Sequence, residues 1–224
     1  MPPESIPFSH LARAAYCPRQ LYYAEKYDDH EPPAEVESVR ELAFRYRELG
    51  DASADELASL PIDVSPASYR ERLDSLAARD DWAELADPTT RDAFLSGRDC
   101  HGVAHKLLEV GDGPPIPTVV SPGTPPENGV WKPQRVRAVA AAKALAWERE
   151  REIPRALVEY PAHGIVRTVR LTTRNKGAYR RTLWTVRSTE GVPSRVENRE
   201  KCRECAYRTR CGTKTRSLKT MLGL

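Results

Sequence analysis

The sequence predicts an α/β or α+β fold, a small sheet with helices around it. Residues 101–110 and 116–121 are β-rich runs separated by the turn GDGPP at 111–115. An alanine-rich helix, 133–150, follows a proline-rich loop and leads into two more strands, 156–160 and 165–171. Everything before residue 97 patterns as helix or loop.

Taken in order, Ser9 is placed to cap a short helix, 10–16, which Pro18 ends by restricting Cys17. Pro18 suits the first position of a second helix, 18–26, so Cys17 falls at a helix–helix corner. DDHEPPAE, 28–35, is an acidic linker. Residues 37–49 read as a helix with Val39, Leu42 and Tyr46 on one face. Residues 51–96 read as helical pieces, notably 66–78, capped by Ser65, and 82–85. The helix at 133–150 offers Val136, Val139, Ala140, Ala142 and Trp147 for burial. Apolar and basic residues alternate along 165–171, and a last helix spans 176–188. The chain thus divides into N-terminal helices (1–30), a helical insertion (31–97), a sheet-bearing core (98–190) and a cysteine-rich segment (191–224).

Hydrophobic residues make up 40% and charged residues 30% of the chain, a balance that fits a folded soluble domain and excludes a disordered one. The longest apolar stretch, 138–147, is interrupted by Lys143 and is too short to span a bilayer. The N-terminus lacks the basic-then-apolar pattern of a secretory signal. The expectation is a cytoplasmic protein with no membrane partner. The net charge of +3 hides a division: residues 1–129 carry −12 and residues 130–224 carry +15. A C-terminal part this basic suits a polyanion. Within it, Arg174, Lys176, Arg180, Arg181 and Arg187 interleave with Tyr179 and Trp184, as in grooves that stack bases while cations follow phosphates. The alternative is that Leu183 and Trp184 form the buried face of that helix.

Five cysteines in a reducing compartment point to metal or redox use over disulfides. Three of them follow the spacing Cys202-x2-Cys205-x5-Cys211, which places thiolates around one metal or cluster and leaves a four-ligand site one short. Cys17, Cys100, His10, His30, His101, His105 and His163 are the candidates for the fourth ligand. Zinc and an iron–sulfur cluster both suit such a set. Cys100 reads as a buried free thiol and His101 as a strand residue.

FSHLARAAYCPRQLYYAEKY near the N-terminus, with CRECAYRTRC about 185 residues later, resembles the CRISPR-associated protein four family. These are RecB-like DNA exonucleases that carry a 4Fe–4S cluster. The likeness lies at both ends and in the order of elements from residue 98 onward; it does not extend through 30–97. It implies a restriction-endonuclease-like core with helical N-terminal part and a cluster clasp. By that likeness Cys17 is the first cluster ligand, Cys202, Cys205 and Cys211 are the other three, and Tyr22 and Tyr23 pack around them.

The family also carries a PD-(D/E)xK motif, whose carboxylates hold Mg²⁺ or Mn²⁺ because these ions prefer hard oxygen ligands. Matched onto it, CHGVAH places His105 at the aspartate, and IPTVVSPG places Val119 and Ser121 at the glutamate and lysine. The helix glutamine falls near Arg137, and no histidine lies between His30 and His101. Glu109, Asp112 and Glu127 are the acids left nearby. The reading is a DNA-binding protein with a degenerate nuclease site, acting on single strands or DNA ends. The alternatives are an active Mg²⁺- or Mn²⁺-dependent exonuclease that trims DNA for spacer acquisition, and a non-catalytic partner of a CRISPR integrase or another nuclease.

Overall fold

The computed structural model describes residues 5–27 and 34–212. Six strands form one sheet: β1 (Ile6–Pro7), β2 (Thr90–Ser96), β3 (Cys100–Leu108), β4 (Ile116–Val120), β5 (Arg155–Tyr160) and β6 (Ile165–Arg170). The helices are α1 (Phe8–Tyr16), α2 (Pro18–Lys26), α3 (Ala34–Leu42), α4 (Tyr46–Asp51), α5 (Ala54–Ala58), α6 (Pro66–Ala77), α7 (Trp82–Ala86), α8 (Lys132–Glu148), α9 (Thr173–Ser188) and α10 (Arg199–Arg203). A 3-10 turn, Pro161–His163, joins β5 to β6.

The sheet is mixed. β2, β3 and β4 form an antiparallel meander, β5 lies parallel to β4 across α8, and β6 returns antiparallel to β5. A parallel neighbour requires a crossover, and α8 supplies it. One face of the sheet packs on α1, α8 and α9 through Leu11, Leu107, Val119, Val136, Val139, Val158 and Leu183. The alanine run of α8 brings that helix close to the strands. At Gly97 an added Cβ would stand 2.7 Å from the Ala144 backbone. The other face buries Leu108, Ile116, Val120 and Leu157 beneath the helices of the insertion, through Leu42, Tyr46, Leu57, Tyr69 and Leu85.

The second core has an ion pair at its centre. Lys106 on β3 and Glu159 on β5 are fully enclosed, with Nζ 2.7 Å from Oε2. The ammonium also donates to the carbonyls of Ala43 (2.6 Å) and Leu85 (2.8 Å), and the Thr118 hydroxyl donates to the second carboxylate oxygen at 2.6 Å. Its three donors are thereby satisfied, and the Tyr46 ring lies 4.7 Å beneath it.

Several local expectations change. The first helix begins at Phe8 and its N-cap is Pro7, with Ser9 inside the helix. Phe8 is drawn in because its ring lies against Gly102, where a Cβ would come within 2.7 Å of it and φ is +149°. The helix expected over 37–49 breaks in two after Leu42, where the turn leaves the Ala43 carbonyl to Lys106. Thr90–Ser96, expected as part of the helical insertion, is a strand; its charged residues and the exposed Phe94 hide the alternation. Trp147 is 58% exposed, because the buried seam of α8 ends at Ala144 and Leu145. The last long helix starts earlier, at Thr173, where the Thr172 hydroxyl accepts from the Asn175 N–H.

Lys106→Met alone should destabilise the protein by about 3–5 kcal/mol in urea unfolding, since it strands a buried carboxylate. The double change Lys106→Met, Glu159→Leu should recover most of that loss. Equal loss in both proteins would show that the pair's charge balance is not what matters.

Candidate functional site

Two chain ends meet at the cysteines. Cys17 is at once the C-cap of α1 and the N-cap of α2, the corner expected from Pro18. It lines one cavity with Cys202 and Cys205, at the end of and just beyond α10, and with Cys211. Burial, followed by the neighbouring thiols of Cys17, Cys211 and Cys202, raises the Cys205 thiol, while the Tyr207 N–H opposes the rise. The Arg19 guanidinium stands 3.7 Å from the Cys211 sulfur. Of the seven candidates for a fourth ligand, Cys17 alone among the described residues lines this cavity. His10 sits beside Glu25 (3.3 Å), His101 beside the Ser5 hydroxyl (3.1 Å) and His163 beside Asp63 (3.2 Å). Cys100 is buried and accepts from the Tyr179 hydroxyl at 3.2 Å. His30 lies outside the described residues. Among the described residues no three His, Cys, Asp or Glu side chains are gathered tightly enough to hold a single metal ion.

The ends are also tied by contacts that need no guest. The Tyr16 hydroxyl donates to the Lys201 carbonyl (2.9 Å), Arg19 Nε to that of Pro193 (2.8 Å) and the Tyr23 hydroxyl to that of Arg210 (3.2 Å). Tyr23 stacks on Tyr207, and the Lys201 ammonium lies over the Tyr16 ring. Tyr23 lines the cysteine cavity as expected. Tyr22 does not: it turns toward a separate groove lined by Pro18, Leu21 and Val186.

The positions matched to the nuclease motif lie on the α8 side of the sheet, where β3 splits. Its ladder with β1 covers Cys100 and His101, and its ladder with β4 covers Lys106 to Leu108. Past this fork the Val120 N–H donates to His105 Nδ1 at 2.9 Å. That bond takes the lone pair of Nδ1, so the neutral ring carries its proton on Nε2 and has no lone pair for a metal. Burial, then Arg137, Arg40 and Lys106, pushes His105 down to about 2. Every charge in that set is positive. Val119 is buried in the core, and Ser121 is buried with its hydroxyl accepting from Gln134 Nε2 at 3.2 Å. The glutamine that meets this site is therefore Gln134, one helical turn before Arg137, the residue matched to it; the packing of α8 on β4 selects it. Arg137 points no hydrogen bond at any described residue, and burial and Arg40 lower it to about 10. Glu109 lies one residue past the end of β3, half exposed, 3.9 Å from Arg149, not further along the strand as expected. Asp112 and Glu127 offer backbone carbonyls to Arg151 and Arg167.

The five cations of α9 divide. Lys176 pairs with Glu152 (3.8 Å) and Arg187 with Asp99 (3.0 Å). Arg174, Arg180 and Arg181 are exposed and make no ion pair among the described residues. Leu183 is buried, as the alternative reading expects, but Trp184 is 70% exposed. Arg181 joins cations from two other segments: burial, then Lys201, Arg181 and Arg135, lowers the Lys132 ammonium. Sequence reading misses Lys132, Arg135 and Lys201 because they lie on α8 and α10, far apart in the chain.

No protein-family model matches the chain, and no curated protein matches it. Among the described residues no helix is long and apolar enough to cross a membrane.

His105 should make the fold acid-sensitive. Its folded-state value lies below the unfolded 6.5, so stability is complete above that pH and falls as the unfolded chain takes up a proton. The loss should be about 2 kcal/mol between pH 6.5 and 5. Burial lowers His163 as well, against the pull of Asp63, so the comparison must be with His105→Gln. Urea unfolding of that variant should show a shallower pH slope; an unchanged slope would assign the effect elsewhere.

Proposed function

We propose that this chain is a nucleic-acid-binding protein of nuclease-like fold that does not cleave, with its ends clasped by a 4Fe–4S cluster on Cys17, Cys202, Cys205 and Cys211. The observation that carries the reading is the sign of the charge. The positions matched to the nuclease motif's aspartate, glutamate, lysine and helix glutamine hold His105, Val119, Ser121 and Arg137, so neither carboxylate is present. Beside the cysteine cavity, Lys132, Arg135, Arg181 and Lys201 converge from three segments. Cations held together without acids among them attract a polyanion and release its counterions.

The fold supports the reading. The mixed α/β sheet is compatible with it, and from β3 onward strand, strand, crossover helix and strand follow in the order read from the sequence. The donor set also fits the cluster: four thiols surround one cavity, an arginine N–H faces one sulfur, and tyrosines enclose the rest. A zinc ion would need the sulfurs close around one point, whereas a cluster accepts them further apart. When bound, the cluster supplies a covalent cross-link between chain ends that otherwise fray. The donor set does not fit Mg²⁺ or Mn²⁺, since among the described residues no carboxylate stands at the fork and His105 has no lone pair to offer.

The partner this chemistry suits is single-stranded DNA or a DNA end. The exposed Trp184, one turn from Arg180 and Arg181, offers a ring on which a base can stack. The likeness at the two chain ends supports membership in the CRISPR-associated protein four family and service beside an integrase as part of this proposal.

Anaerobically purified protein should be brown, and Cys17→Ala should remove the visible absorbance as fully as Cys205→Ala. A colourless protein with stoichiometric zinc would reject the cluster. Binding to single-stranded DNA should weaken steeply with salt, and Lys132→Ala or Arg181→Ala should each reduce the slope of log K against log salt by about 0.7. Degradation of that DNA by the purified protein with Mn²⁺ would reject the non-cleaving reading.

A further inference from the structure

We propose that the cavity between the β2–β3 turn, α8 and α9 is a nucleotide pocket, in which Trp147 stacks a base while Lys143 and Arg98 hold its phosphate. The cavity has a volume of about 250 Å³. Cys100, Ala144 and Tyr179, all buried, form its floor; Arg98, Lys143 and Trp147, all exposed, form its rim.

Contacts from three elements build it. Gly97 opens the turn, and its N–H donates to the Cys100 carbonyl at 2.8 Å. Without a side chain it lets the turn press onto α8, where a Cβ would strike Ala144. The Ser96 N–H donates to the Glu148 carboxylate, one residue past Trp147. From α9, Arg187 reaches Asp99 at 3.0 Å and the Tyr179 hydroxyl reaches the Cys100 sulfur at 3.2 Å. The turn cannot leave either helix without breaking one of these contacts. Lys143 and Trp147 stand four residues apart on α8 and share a face, and Arg98 lines the same cavity from the turn.

The chemistry of the lining selects the ligand. The Trp147 indole is 58% exposed at the edge of a concave site, a surface that a planar ring can cover by stacking. Neither Arg98 nor Lys143 makes an ion pair among the described residues, whereas Asp99, the acid of the lining, is neutralised by Arg187. The rim therefore carries two cations free to meet an anion. Burial pushes the Cys100 thiol up to about 11, so the floor is a neutral thiol and a tyrosine, matched to an uncharged ring and not to a covalent step. A planar uncharged ring that bears an anionic group is a nucleotide.

Two sources share this chemistry: a free mononucleotide and a nucleotide within a strand. Only the second rests on the nucleic-acid reading above. Titration of the full-length protein with dAMP, followed by tryptophan fluorescence, tests the pocket, with deoxyadenosine and inorganic phosphate as its two halves at matched ionic strength. Wild type should bind dAMP more tightly than either half, with quenching. Trp147→Ala should bind it about tenfold more weakly, and Trp147→Phe should keep most of the affinity because a ring remains. Lys143→Gln should weaken dAMP about threefold and leave deoxyadenosine unchanged. The side chains replaced are exposed, so the variants should melt with wild type. In wild type, dAMP bound no more tightly than inorganic phosphate would overturn the proposal, and that measurement requires no variant. An unchanged affinity in a folded Trp147→Ala would also overturn it.

A single-stranded oligothymidylate decides the source. Weaker binding of it by Trp147→Ala identifies a base within a strand. Unchanged binding of it by that variant, with the dAMP response lost, identifies the free nucleotide. Should wild type bind no oligonucleotide at low salt yet keep its dAMP response, the nucleic-acid reading fails and the pocket stands.

Discussion

The buried pair of Lys106 and Glu159 organises the fold. Two charges out of water are tolerable only when geometry and hydrogen bonds satisfy both. Here that demand recruits three strands and the insertion. Glu159 comes from β5, Thr118 from β4 and Lys106 from β3, while the carbonyls of Ala43 and Leu85 come from either end of the helical segment. The insertion cannot slide on the sheet without leaving an ammonium short of acceptors. The break in the helix after Leu42 follows from this requirement, because a carbonyl that stays in the helical ladder is aimed along the helix and away from Lys106.

The opposite face of the sheet answers to a different constraint. There β3 and β4 part, and a side chain must satisfy the amide that their separation exposes. His105 does so for Val120. In doing so it gives up the lone pair that a metal ligand needs and stays neutral among cations. Arg137 and Arg40 both act on it, and both oppose its protonation.

The clasp at the chain ends is built twice over. Hydrogen bonds and stacked tyrosines join the corner after α1 to the segment around α10 independently of any guest. These contacts hold the four thiols around a shared cavity, so a cluster would bind a site already gathered. The cations Lys132, Arg135 and Arg181 border the same region through Lys201, which touches Tyr16 on one side and follows the clasp on the other.

Much of this was legible in the chain. Pro18 set the corner at Cys17, Ser65 marked the start of α6, and the alanine run announced α8, because capping, proline geometry and helix propensity act over a few residues. The spacing of Cys202, Cys205 and Cys211 declared a site one ligand short. Spacing alone left the fourth place open among seven; the likeness at the N-terminus pointed to Cys17, and packing lines the cavity with it and sends Cys100 to Tyr179. Thr90–Ser96 escaped notice because an edge strand with charged residues lacks a buried alternation. Gln134, Lys132, Arg135 and Lys201 carried no local signal, since their meaning lies in neighbours distant along the chain. The sequence by itself determined the elements, their order and the chemistry available at each position. The tertiary structure decided which of those groups meet and whether they keep their charge, because burial and long-range pairing, not local spacing, set the energy of a charged group.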